Sequence, residues 1–246
     1  MKLKFSLVFF LSLFITLSFL HAQKNVELSN MGKLNVSALA FKSIHLQYER
    51  KIGKRTTVAL GYSTIPTASL AFQSFYEKQI NNSRINISDF KLGTSIITPE
   101  FRYYYGKKGA FHGFYMAAYI RFGNYHIEGP ISYNSTTDST KKAVFDGNIK
   151  MISGGILLGS SFVLSKNLYL DWWIAGGSLG TASGRVSASS DLHKQDDQDG
   201  LKKALNSTSI PLTHIENEVT ATGATVTSTG TVVGIRGLGI NIGFRF

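Results

Sequence analysis

"GLGINIGFRF", residues 237–246, alternates without a break. Leu238, Ile240, Ile242, Phe244 and Phe246 are large and apolar, while Gly237, Gly239, Asn241, Gly243 and Arg245 are small or polar. Successive side chains of an extended chain point to opposite faces. This strand therefore has one greasy face and one nearly bare face. A wall with hydrocarbon outside and a crowded interior inside needs both. In hydrocarbon every backbone donor and acceptor must find a partner within the protein, and strands manage that only by closing into a ring.

The same period of two recurs along the chain. It predicts eight strands, near residues 33–40, 43–52, 55–65, 92–106, 112–128, 147–164, 167–186 and 229–246. "GK" at 53–54, "KKGAF" at 107–111 and "SK" at 165–166 are tight connections, whereas 66–91, 129–146 and 187–228 are long and polar. Short turns at one end and long loops at the other are the asymmetry of an outer-membrane barrel. The gap at 41–42 breaks that pattern, because its place in the alternation calls for a long loop. The expected fold is all-β: an eight-stranded antiparallel transmembrane β-barrel, with ten strands as the alternative count. Twenty-four Gly, seventeen Phe and eleven Tyr against four Pro suit such a barrel.

Lys2 and Lys4 precede the apolar run "FSLVFFLSLFITLSFL" at 5–20, followed by Ala22. This reads as a signal peptide over residues 1–22, leaving 23–246 as the barrel domain; an uncleaved anchor is the alternative. The chain has no cysteine, which excludes a disulfide framework. Removing Lys2 and Lys4 from a net charge of +11 leaves +9. The basic residues are scattered and no recognition motif accompanies them, so nucleic acid is not an expected partner. Anionic lipid head groups account for the charge more simply.

The alternating residues Leu238, Ile240, Ile242, Phe244 and Phe246 resemble the assembly signal of bacterial outer-membrane β-barrel proteins. The strand plan over 33–246 extends that likeness to small OmpA/OmpX-type or porin-like barrels. "YERKIGKRTTVALGY", residues 48–62, resembles a hairpin of barrels from Bacteroidota-type bacteria. The resemblance implies a bacterial outer membrane, lipids including lipopolysaccharide as surroundings, and the barrel-assembly machinery as a partner during insertion. It names no activity and no cofactor.

Strand parity sorts the remaining residues. Outward aromatics near the short turns are Tyr48, Tyr103, Tyr105, Phe114, Phe162 and Trp172, a girdle where hydrocarbon meets water. Inward positions carry Glu49, Glu100, Arg102, Arg121 and Asp171. An eight-stranded interior is only just wide enough for side chains, so a plug of ion pairs is the first reading and a proton or ion path the second. Arg236 shares the outward parity of Leu238; either it snorkels to the head groups or a bulge among Gly234, Gly237 and Gly239 turns it inward.

No nucleophile motif accompanies the histidines. "HIE" at His126 and at His214 places His and Glu on one strand face, the only hint of a lipid-modifying enzyme. "QDDQDG" at 195–200 fails as a calcium loop, because Asn206 stands where the distal Glu belongs and Lys202 and Lys203 add positive charge. It reads as an acidic turn ahead of a short helix. Loop 66–91, with Leu70, Phe72, Phe75 and Tyr76 at helical spacing, and loop 187–228 are candidate surfaces for an unknown partner. The expected function is non-enzymatic: a structural or surface-interaction barrel. A narrow pore, a lipid-modifying enzyme and an exported soluble β-sandwich are the alternatives.

Overall fold

The computed structural model describes residues 28–69, 89–135, 140–190, 192–206 and 212–246. The expected signal peptide, residues 1–22, and the apolar residues 70, 72, 75 and 76 lie outside these. The described residues form β1 (Asn30–Asn35), a 3-10 helix (Ser37–Phe41), β2 (Ile44–Lys51), β3 (Thr56–Ser69), β4 (Lys91–Tyr104) and β5 (Gly113–Asn134). They continue through β6 (Thr140–Val163), β7 (Leu168–Ser189), α1 (Gln195–Asn206), β8 (Thr213–Thr220) and β9 (Gly223–Arg245).

All nine strands belong to one antiparallel sheet, closed by the pairing of β1 with β9. Eight of them, β1 to β7 and β9, follow one another around the ring; β8 pairs only with residues 223–230 of β9. The backbone of Asn30 and Phe246 exchanges two hydrogen bonds of 2.9 Å, at the same end as the tight turns 52–55, 105–112 and 164–167. At that end Phe111 turns up beneath the lumen, with a left-handed φ of 69°, and is fully buried against Tyr104.

Three sequence expectations are corrected. The stretch 129–146 is mostly strand, with β5 and β6 pairing to Asn134↔Thr140. Alternation weakens there because both faces are partly polar, while the backbone ladder continues. "QDDQDG" is the first half of α1 and not a turn before it. The expected first strand at 33–40 ends at Asn35. The Asn35 side chain accepts hydrogen bonds from Ala38 N and Ser37 Oγ, both at 2.8 Å, which offers the backbone an alternative to the ladder. The connection from β1 to β2 therefore spans 36–43, not 41–42, and obeys the long-loop rule.

A hydrophobic cluster seats α1 in the opposite mouth. Leu201, Ala204 and Leu205 of the helix pack with Tyr133, Phe145 and Ala188 from the inner barrel face. Lys141 Nζ donates to Asp197 at 2.7 Å, and this bond, helped by Ser135, holds the Asp197 carboxyl below the usual Asp range. A depressed folded-state pKa stabilises docking above the ordinary value, and that stabilisation is lost as pH falls through the folded value. Hydrogen exchange across α1 should therefore speed up as the pH drops below about 4, while β6 and β7 stay protected. Unchanged α1 protection after correction for intrinsic exchange would contradict this.

Candidate functional site

The ring strands converge on a dry ionic layer. Glu49 on β2, Arg102 on β4 and Asp171 on β7 are each 0% exposed. Arg102 Nη1 reaches Glu49 Oε2 and Asp171 Oδ2, both at 3.0 Å; Nη2 reaches Glu100 Oε2 at 2.7 Å and Gln47 Oε1 at 2.7 Å. Lys33 on β1 donates to Glu49 and, at 2.6 Å, to Asp171. Tyr104 and Tyr115 hydroxyls complete Glu49 and Asp171, each at 2.7 Å. The Arg102 guanidinium also lies 4.7 Å from the Tyr115 ring centroid. Buried charges are tolerable when each is paired and its remaining lone pairs or protons are satisfied. Here three carboxylates meet three cations, the third being Arg236, whose Nη2 donates to Glu100 at 2.5 Å.

β6 makes room for this layer. A Cβ at Gly159 would lie 2.9 Å from Trp172 O and closer still to the Tyr115 ring end; one at Gly155 would press on Tyr119. Gly155 and Gly159 are thus the sockets of the inward Tyr119 and Tyr115 on the neighbouring β5.

Arg236 settles inward through an irregularity in the wall. Pairing of β7 with β9 steps from Trp173↔Gly239 to Ala175↔Gly237, leaving Ile174 and Leu238 out of the ladder. Leu238 has φ 56°, so it stays outward while the parity beyond it flips. Ile235 and Val233 now face out, and Arg236 stacks 4.1 Å over the Trp173 ring. Of the two readings of Arg236, the inward one is realised, through a break that skips one residue on each strand and leaves their register unchanged.

Four of the five expected lumen charges, Glu49, Glu100, Arg102 and Asp171, share this network. Arg121 does not join it. It points into a cavity of about 480 Å³ above the ionic layer, with His45, Trp173 and Arg236. Lys33 and the two tyrosines escaped the sequence reading. The alternation of Met31, Lys33 and Asn35 with Gly32, Leu34 and Val36 carried the signal for Lys33.

The expected girdle residues Tyr48, Tyr103, Tyr105, Phe114, Phe162 and Trp172 are all exposed on the outer face, as are Leu238, Ile240, Phe244 and Phe246; Ile242 is partly covered. Among the described residues the partners of His126 are carboxylates. With Glu128 and Asp146 it forms an open cluster, its Nε2 3.4 Å from Asp146 Oδ2, while Glu128 is already held by Lys91 at 2.8 Å. His214 and Glu216 pair at 3.2 Å in full exposure.

A closed antiparallel ring with a buried ionic layer, an apolar exterior and a helix seated in one mouth defines the class: an all-β, barrel-like protein. Within that class the chain belongs to the family described as "Protein of unknown function (DUF3575)", whose model matches residues 7–213. No curated protein matches it.

Proposed function

We propose that the chain is a non-enzymatic barrel of the bacterial outer membrane, of the small OmpA/OmpX type, serving a structural or surface-interaction role. One observation carries this reading: large apolar side chains cover the outer face of the ring, while its interior holds a layer of buried, mutually paired charges. Ile120, Phe122, Ile152, Ile156, Leu158 and Ile97 are all exposed, whereas Lys33, Glu49, Arg102 and Asp171 are buried. A water-soluble fold reverses that distribution. Apolar patches beyond a few hundred Å² mark a membrane or a partner, and the aromatic girdle beside the short turns favours the membrane. On this reading lipids including lipopolysaccharide surround the belt, the barrel-assembly machinery reads the strand ending in Phe246, and the short turns face the periplasm. The helical cap and β8 form the external surface offered to a partner.

The filled ionic layer argues for a scaffold over a narrow pore. Expressed in a Gram-negative host, the protein should sediment with outer membranes after carbonate washing, migrate in a heat-modifiable way on gels, and give no steady current in planar bilayers. A soluble, monomeric product would refute the membrane reading. A steady conductance would replace the scaffold by a pore.

Replacing residues 190–222 by Asn-Gly is a further test, since Ser189 and Gly223 are cross-strand partners and a two-residue turn can join them. Heat-modifiable migration should survive. Its loss would show that the cap is needed to hold the ring together.

A further inference from the structure

Among the described residues the barrel wall is notched. β1 pairs with β9 only over Met31–Arg245 to Asn35–Asn241, with Val36 N adding one bond to Ile240 O at 2.8 Å. β8 pairs with β9 over Gly223 to Gly230, followed by Thr231 N to Leu212 O at 3.0 Å. Between these, among the described residues, 232–237 and 239 of β9 have a strand partner only on the β7 side, and Leu238 has none on either side. Facing that free edge across the opening are the 3-10 helix and the start of β2. Ile235 and Leu238 on this edge are 91% and 79% exposed.

The notch opens into the cavity of about 480 Å³ above the ionic layer, since outward Ile235, Leu238 and Phe41 line it together with inward His45, Arg121 and Trp173. Its inner wall is rich in unused donors. Arg236 Nη1 and Trp173 Nε1 are buried donors without a hydrogen-bond partner, and His45 Nε2, a donor or an acceptor according to tautomer, is unpartnered beside them; all three side chains are at least nine-tenths buried. Buried donors without partners are costly and call for an explanation. Charge points the same way. Glu100 already serves Arg102 and Arg236, and no described carboxylate pairs with Arg121. The cavity therefore carries surplus positive charge. Outside, below the notch, an apolar groove of about 630 Å³ crosses β9 and β1 to β4, lined by Leu34, Leu46, Leu60, Ile97, Ile242 and Phe244.

We propose that this cavity binds a single-chain anionic amphiphile: Arg121, Arg236 and Trp173 hold its head inside the barrel, and its acyl tail leaves through the notch to lie on the outer groove. The anion supplies the missing acceptors and neutralises Arg121. A neutral or headless lipid supplies neither. Lateral entry suits a ligand drawn from the bilayer, so the proposal rests on the membrane reading.

The chain's two tryptophans make the test direct. Trp172 is exposed on the outer face and Trp173 lines the cavity. The Trp172→Phe protein, in nanodiscs of zwitterionic phosphatidylcholine, is titrated with α-bromopalmitate, whose bromine sits beside the carboxylate and quenches a neighbouring indole. The absence of cysteine removes thiol alkylation, and reversal of the quenching on dilution excludes alkylation of other side chains. Saturable quenching is expected with the acid and not with its methyl ester. Arg121→Ala should weaken it about tenfold, and Arg121→Lys should retain most of it. Equal quenching by acid and ester, a linear response without saturation, or indifference to Arg121→Ala would overturn the proposal. Heat-modifiable migration of each variant shows separately that the barrel is intact. A chain that refuses nanodiscs and stays dissolved without detergent defeats the membrane reading on its own. The same titration in that buffer, below the quencher's micellar concentration, then decides the pocket by the same outcomes.

Discussion

Arg102→Ala should cost more stability than any other single truncation in the lumen. The guanidinium is bonded to Glu49, Glu100 and Asp171, all of them buried. Lys33 and Arg236 cannot replace it, because they lie at opposite sides of the cluster and each already serves its own carboxylates. Removing one partner of a buried pair typically costs about 3–5 kcal/mol, since the surviving charge is left uncompensated. Here one deletion affects three carboxylates, so the loss should reach at least that range, a large part of a typical folding free energy of about 5–15 kcal/mol. Arg102→Lys keeps the charge but loses the planar fork that spans the three acceptors, and should fall between. The urea midpoint of the heat-modifiable band in lipid vesicles measures both. A change in Arg102→Ala below about 1 kcal/mol would mean that water reaches the layer and that it is no plug.

The second large effect concerns the outer face. Ile156 is exposed and sits near the middle of the apolar band, six residues along β6 from the girdle residue Phe162. Ile156→Arg should destabilise by about 2–4 kcal/mol in vesicles, the cost of a guanidinium near the bilayer midplane. Val144 is equally outward but lies twelve residues farther along the same strand, beyond the reach of a hydrocarbon core about 30 Å thick. Val144→Arg should cost little, within about 0.5 kcal/mol for an ordinary surface change. The contrast between the two sites is the test. Two small and equal effects would place water, not lipid, against Ile156, and the membrane reading would fail.

The lumen shows why some site residues were readable in the sequence and others were not. Glu49, Glu100, Arg102 and Asp171 could be assigned an inward face because alternation with Tyr48, Phe101, Tyr103 and Trp172 fixed their parity. Their mutual partners could not be read. Glu49 and Asp171 are 122 residues apart in sequence yet share Arg102 and Lys33, a meeting set by the stagger of strands around the ring. Parity also misled where the wall is irregular. Residues on either side of Leu238 differ in face because Ile174 and Leu238 leave the ladder together, and only the pairing of β7 with β9 reveals where. Arg121 shows the reverse case: its inward face was legible, but its separation from the other four charges was not.

What the chain itself determined is the closed barrel and its two ends. Alternation has a period of two and is written locally, so each strand declares its apolar face without knowledge of its neighbours. The demand that every buried backbone group be paired then closes those strands into a ring. Tertiary structure alone decided which charges meet, where Arg236 points and that the wall opens beside β9. Those outcomes depend on register between strands and on how far each hairpin rises, and both arise from contacts between residues far apart in sequence. No local pattern encodes the shortness of β1 and β2 against β3 and β9. The side opening, and the donors waiting behind it, exist only once the ring has closed.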